Sequence, residues 1–245
     1  MRYAILADIH SNLTAFEAVL KDVERRGKVD QVWCLGDVVG YGPDPCQCIQ
    51  LLRTYDPLCV MGNHDCAAIR RLDIGDFNPD AAASCRWTAE QLGPEEREYL
   101  ENLPQKLCEG DFTLAHGSPR EPIWEYLVST ASARINFAFF DSRFCLVGHS
   151  HVPLIFEQEG ESDGCLLHPL PVEVPFNLGE CRLIINPGGV GQPRDGDPRA
   201  SYAIYDSDDR VIYHYRIPYD VAATQQRMVQ HGLPIRLIDR LSYGW

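Results

Sequence analysis

Leu58-Cys59-Val60-Met61 is an apolar run the length of one buried strand, and it leads directly into Gly62-Asn63-His64-Asp65. An amide, an imidazole and a carboxylate therefore stand at the mouth of a strand, where open α/β sheets bind ligands. The same arrangement recurs along the chain. Residues 2–7 read as a strand and run into Asp8-Ile9-His10-Ser11-Asn12. Residues 31–35 end at Gly36-Asp37, residues 112–115 at His116-Gly117-Ser118, and residues 144–147 at Gly148-His149-Ser150-His151. Five strand ends in polar clusters, with helices between the early ones, restrict the chain to the α/β class with parallel crossovers.

Periodicity supplies the helices. Leu13, Phe16, Val19, Leu20 and Val23 recur at three and four, which predicts an amphipathic helix from Leu13 to Arg26 with Asn12 as its N-cap. A second helix is expected near 45–54. Residues 79–103 are helical in character, divided at Gly93-Pro94, and a further helix is expected near 130–141. Beyond residue 152 the pattern becomes strand-rich, with strands expected near 153–158, 165–172, 181–185, 201–206 and 210–217. A helix near 219–231 and a short tail close the chain. With no repeat, low-complexity tract or linker, residues 1–245 are expected to form a single domain.

The formal net charge of −13 argues against a generic nucleic-acid or anionic-membrane surface. It leaves room for an anionic substrate, because bound cations reverse the sign locally. Ten scattered cysteines, with Cys46-Gln47-Cys48 the one close pair, point to reduced thiols and a cytoplasmic protein. Cys34 and Cys145 are expected in the core, and Cys66 as a packed thiol. No signal peptide or membrane-length apolar run is apparent.

The polar strand ends hold Asp8, His10, Asp37, Asn63, His64, His116, His149 and His151, five of the chain's 8 histidines among them. His168, His214 and His231 lie outside these motifs and are expected to be structural. Oxygen donors mixed with imidazoles suit Mn²⁺, Fe or Zn²⁺ better than Mg²⁺ or Ca²⁺. Seven donors exceed what one tetrahedral ion needs and suit two ions sharing a carboxylate. Strand-end loops of one sheet would project these side chains toward a common edge. The spacings Asp8-x-His10 and His149-x-His151 would place each pair on one side of an extended backbone. Gly36, Gly62 and Gly148 would let the chain bend sharply just before a donor.

Taken in order, Asp8/His10, Gly36-Asp37, Gly62-Asn63-His64-Asp65, His116 and Gly148-His149-Ser150-His151 resemble the motif series of calcineurin-like metallophosphoesterases. The motifs extend from residue 8 to residue 151. Gly40-Tyr41-Gly42-Pro43-Asp44-Pro45 and the glycine-rich stretch 186–194 further resemble a bacterial and archaeal subgroup of stand-alone phosphoesterases. The resemblance implies a four-layer αββα sandwich of two mixed sheets, with the later strands forming the second sheet. It implies that Asp8, His10 and His151 hold one metal, that Asn63, His116 and His149 hold the other, and that Asp37 bridges both. A hydroxide between the ions would attack phosphorus, with His64 facing the leaving oxygen as the catalytic residue outside the ligand set. Asn12 and Arg194 are candidates for binding a phosphate oxygen.

One departure stands out. Ser/Thr protein phosphatases of the wider family carry Asp-Arg-Gly soon after their Gly-Asp motif, whereas Gly40 and Tyr41 occupy those positions in this chain. The expected activity is hydrolysis of a small phosphate ester, monoester or diester, with nucleotides among the candidates and extended nucleic acid a poor fit. The alternative is a non-catalytic binding scaffold on the same fold. Specificity would reside in loops 41–47, 66–80, 117–130 and 187–198.

Overall fold

The computed structural model describes residues 1–160 and 164–245. Among them, twelve strands divide between two six-stranded mixed sheets. Along the chain, β1 (Arg2–Leu6), helix α1 (Leu13–Arg25), β2 (Gln31–Cys34), α2 (Pro45–Arg53), β3 (Leu58–Cys59) and α3 (Asn63–Ala68) come first. Then follow α4 (Pro79–Gln91), α5 (Pro94–Glu101), β4 (Lys106–Glu109), β5 (Phe112–Ala115), α6 (Thr130–Asn136) and β6 (Phe144–Leu146). The remainder is β7 (Leu154–Glu159), β8 (Gly164–Pro169), β9 (Phe176–Asn177), β10 (Leu183–Asn186), β11 (Ala200–Asp206), β12 (Val211–Ile217), α7 (Val221–Gln230) and α8 (Ile235–Asp239).

The first sheet runs β3-β2-β1-β11-β12-β9 and the second β4-β5-β6-β10-β7-β8. β1, β2 and β3 pair in parallel, as the strand–helix alternation requires, and β11 joins β1 antiparallel. β5 and β6 are parallel to each other, as are β6 and β10. The expectation that the later strands build the second sheet is only half met. β9, β11 and β12 extend the first sheet, whereas β4, β5 and β6 start the second. The motif strands are therefore shared between two sheets rather than aligned on one.

Successive residues of β1 show why the layers stack. Ala4 and Leu6 face α1 and α2, packing with Phe16, Val19, Ile49 and Leu52. Ile5 faces the other sheet and packs with Trp33, Phe112, Leu146 and Ile185. This period of two buries both faces. The outer face of the second sheet, Cys145, Phe156 and Ile184, is covered by Ala133 and Phe137 at α6 and just beyond it. Helix, sheet, sheet and helix give the expected four layers.

The helices start where the sequence provides caps. Asn12 accepts from the Ala15 amide at α1, and Pro79 and Pro94 open α4 and α5. α6 is shorter than expected, and a 3₁₀ turn at Phe137–Phe139 replaces its last part. β4, an exposed edge strand, and the two-residue β9 carry no alternating pattern to reveal them. All ten cysteines are free, and Cys34 and Cys145 are fully buried. Among the described residues no helix is long and apolar enough to cross a membrane.

Candidate metal centre

The chain leaves β1 and β2 by two loops that zip together. The amides of Asp8, His10 and Ser11 donate to the carbonyls of Gly36, Asp37 and Val38 at 3.1, 2.9 and 3.0 Å. These loops are not extended. Asp8, His10, Asp37, His149 and His151 all adopt positive φ, between 49° and 64°. Left-handed backbone at a non-glycine residue costs about 1–2 kcal/mol, and such residues cluster where structure is held for function. The two residues of each D-x-H and H-x-H pair converge because each is turned inward by its own backbone, not because they alternate along a strand.

The glycines before the donors also act differently from expectation. Gly36 does take a positive φ of 87°. Gly62 is extended, with φ −95°, and serves close approach instead: a Cβ there would overlap the Asp37 backbone nitrogen and Oδ1. Gly148 likewise lies against Ala7 and Asp8, where a Cβ would meet side-chain atoms at 3.0 and 3.1 Å.

Every donor named from the sequence reaches one buried pocket. His10 Nε2 lies 3.1 Å from His151 Nε2, and Asp8 Oδ1 lies 3.4 Å from that same atom. On the other side, His116 Nε2 lies 3.0 Å from both Asn63 Oδ1 and His149 Nδ1. Asp37 stands between the two groups, its Oδ2 3.6 Å from His10 Nε2 and 3.4 Å from His116 Nε2. Its Oδ1 accepts from the His64 amide at 2.8 Å, whereas Oδ2 is buried without a hydrogen-bond partner.

Three of the four histidine donors have their second ring nitrogen tied down, and His149 Nε2 is buried without a partner. His10 Nδ1 donates to the Val39 carbonyl (3.2 Å), His116 Nδ1 to Leu35 (2.9 Å), and His151 Nδ1 to Gln192. That pattern leaves the Nε2 lone pairs of His10, His116 and His151 turned inward, as metal-ligating histidines are held. The Nε2 lone pairs of His10 and His151, facing one another at 3.1 Å, repel unless a cation lies between them. The fit to cations thus rests on three features: an orphaned carboxylate oxygen, opposed imidazoles, and second nitrogens anchored on carbonyls.

Burial lowers His10, His149 and His151 well below the ordinary histidine range, so they stay neutral. His116 goes the other way: burial would lower it, but the Asp37 carboxylate beside it raises it to about 9. Burial, with the nearby Asp37 charge, raises Asp8, although His116 pulls the other way. For Asp37 itself burial is more than offset by His116 and His64, which hold its carboxyl well below the usual range.

His64 enters from the first turn of α3, not from a loop. Its ring packs against Tyr41 (4.2 Å between centroids) and His10 (4.9 Å). Burial lowers it to about 4. Asn12 is largely committed inside the fold: Oδ1 accepts from Ala15 and Thr224, and Nδ2 donates to the Gly191 carbonyl at 2.8 Å. Arg194 is half-buried, donates to Gln192 Oε1, and lies over the Tyr41 ring at 5.6 Å.

Several residues at the pocket carried no sequence signal of their own. Tyr126 stacks on His149 at 3.8 Å, and Trp124 links Phe77 to His149 along the rim. Arg240, from the C-terminal tail, feels the charge of Arg194 and is lowered to about 10, chiefly by burial. Asp65 holds two loops together by accepting from Val39 and Gly62, each at 3.0 Å. Tyr41 lay within a recognised stretch, but nothing distinguished it as a wall of the pocket. Of the three histidines outside the motifs, His231 is exposed beside the Trp87 ring. His168 pairs with Glu157, and His214 is buried against Ser201 and the Leu170 carbonyl.

The chain is 38% identical over 247 residues to an uncharacterized protein of Methanocaldococcus jannaschii, covering 98% of this chain and 97% of that one. It superposes on the crystal structure of a metallophosphoesterase from Sphaerobacter thermophilus with a TM-score of 0.91 and 46% identity, covering 100% and 99% of the two chains. A shorter match, 33% identical over 63 residues, joins 25% of this chain to 22% of a symmetrical bis(5'-nucleosyl)-tetraphosphatase of Pectobacterium carotovorum. The model of the calcineurin-like phosphoesterase superfamily domain matches residues 1–210, and the chain belongs to that family.

Proposed function

We propose that the protein is a metal-dependent phosphoesterase working on a small phosphate ester at a centre for two divalent cations. Asp8, His10 and His151 would hold one cation, Asn63, His116 and His149 the other, with Asp37 shared. The observation that carries this reading is Asp37 Oδ2, buried, unpartnered, and within 3.6 Å of an imidazole from each half of the pocket. The mixed nitrogen and oxygen donors favour Mn²⁺, Fe or Zn²⁺. When bound, such cations lower the pKa of water and draw charge off the phosphoryl oxygens.

The chain's own residues divide the remaining work. His64, neutral and set between Tyr41 and His10, would donate a hydrogen bond to the leaving oxygen. Arg194 would bind a non-reacting phosphoryl oxygen. Asn12, with one amide hydrogen left, is the weaker candidate for that contact. The rings of Tyr41, Phe77, Trp124 and Tyr126 around the pocket favour a substrate with an aromatic part. The short match to a dinucleoside tetraphosphatase supports a nucleotide.

The test is hydrolysis of p-nitrophenyl phosphate, its bis ester and a nucleotide panel with added Mn²⁺. Asp37→Asn is expected to lose metal and activity together. His64→Ala should keep its metal and lose about 10²-fold or more in kcat. Equal metal loss in both variants would remove His64 from its assigned role, and no turnover with any of several divalent metals would overturn the whole reading.

A further inference from the structure

The far side of the His64 ring has an unusual environment for an imidazole next to a reaction centre. Its Nδ1 meets the Cys85 thiol of α4 at 3.3 Å. Gly40 closes the same side so tightly that a Cβ there would come within 2.5 Å of Nδ1. Asp65, the adjacent acid, spends its two oxygens on the backbone amides of Val39 and Gly62. Among the described residues no carboxylate is therefore set against Nδ1 in the manner that commonly orients a catalytic histidine.

We propose that Cys85 is the positioning residue for His64: its S–H donates to Nδ1, so the imidazole carries its proton on Nε2, the nitrogen left to face the substrate. This rests on the role proposed for His64 above. Burial raises the Cys85 thiol to about 12, so it stays protonated and serves as the donor. A neutral imidazole that accepts at one nitrogen must donate at the other. Gly40 keeps the ring close to the thiol, and the Tyr41 and Phe77 rings, 4.2 and 5.2 Å away, hold its plane. The assignment concerns which nitrogen carries the hydrogen, not a change of charge, and it makes His64 a ready hydrogen-bond donor to the departing oxygen. A thiol is a weak donor, so its effect should be modest and directional.

Two measurements test this. With Mn²⁺ enzyme, Cys85→Ala should lower kcat for phenyl phosphate, a poor leaving group, by about fivefold with KM unchanged. The activated leaving group of 2,4-dinitrophenyl phosphate, which needs little help, should be affected less than twofold. Cys85→Ser, whose hydroxyl also donates, should recover most of the loss. A fall of equal size for both esters, a serine variant no better than alanine, or no effect at all would overturn the proposal.

The second measurement needs no turnover. Long-range proton–nitrogen NMR correlation of the His64 ring should show the Nε2–H form in the wild type and a mixture of forms in Cys85→Ala. An Nδ1–H form in the wild type would overturn the assignment even in an active enzyme. If the wild type hydrolyses neither ester, the phosphoesterase reading fails by itself, and the NMR result still decides the role of Cys85.

Discussion

His214 shows how one buried side chain sets a pH limit on this fold. It lies on β12 with Nδ1 against the Leu170 carbonyl (3.1 Å) and Nε2 against Ser201 Oγ (2.7 Å). Burial, aided by Arg216, lowers it to about 4 from the ordinary 6.5. Below pH 6.5 the unfolded chain takes up a proton that the folded chain refuses until about pH 4. Stability is therefore full above 6.5 and declines as pH falls, by about 3 kcal/mol once both states are protonated. Urea denaturation at pH 7 and at pH 4.5 should show that decline in the wild type and a smaller one in His214→Gln, whose side chain does not titrate. Identical acid limbs in the two proteins would refute the assignment. The left-handed residues of the pocket belong to this scale too. Asp8, His10, Asp37, His149 and His151 were recognisable by chemical type, but their backbone conformation was not, because φ at a loop residue is set by the contacts the loop makes.

The loops after β1 and β2 and the first turn of α3 behave as one packed unit, and Gly62 is where they touch. A methyl group at Gly62 would displace Asp37 at its backbone nitrogen and Oδ1. Gly62→Ala should therefore cost about 1–3 kcal/mol by overpacking and also lower metal content. Gly110 is the control. Its φ is 53° and nothing lies within 4 Å of an added Cβ, so Gly110→Ala should show backbone strain alone and keep its metal. Denaturation together with metal analysis of the two variants separates these outcomes, and equal metal retention would show that Gly62 does not govern Asp37. At this scale the sequence was legible where a single element carried its own pattern. The apolar spacing of α1, the Asn12 cap and the apolar runs of β1, β2 and β6 all stand where periodicity placed them. The division of strands between sheets was not legible. Residues of β5, β10 and β11 are buried along nearly their whole lengths, so alternation cannot say which neighbour each strand takes. Cys85 was hidden for a related reason: the register of α4 marks it as buried but not as facing a ring 21 residues earlier in the chain.

Across the whole molecule the pocket acts as a clasp between the two sheets. Asp8, His10, Asp37 and Asn63 follow strands of the first sheet, whereas His116, His149 and His151 follow β5 and β6 of the second. The proposed cation sites each draw donors from both sheets, so neither can fill while the sheets are apart. Binding to the folded state alone stabilises by mass action, about 2.7 kcal/mol at free metal one hundred times its dissociation constant. For a chain of this size each kcal/mol shifts Tm by about 2–4 °C, so Mn²⁺ should raise Tm by about 5–10 °C over chelator-treated protein. Asp37→Asn should lose that increment because it removes the shared oxygen. Cys85→Ala should retain it, since the thiol touches His64 rather than a donor. Cations bound loosely to the acidic surface, with its net charge of −13, would stabilise wild type and Asp37→Asn alike. Thermal scans of the three proteins with Mn²⁺ and with chelator distinguish the cases, and an equal rise in wild type and Asp37→Asn would place the stabilising metal elsewhere than between the sheets.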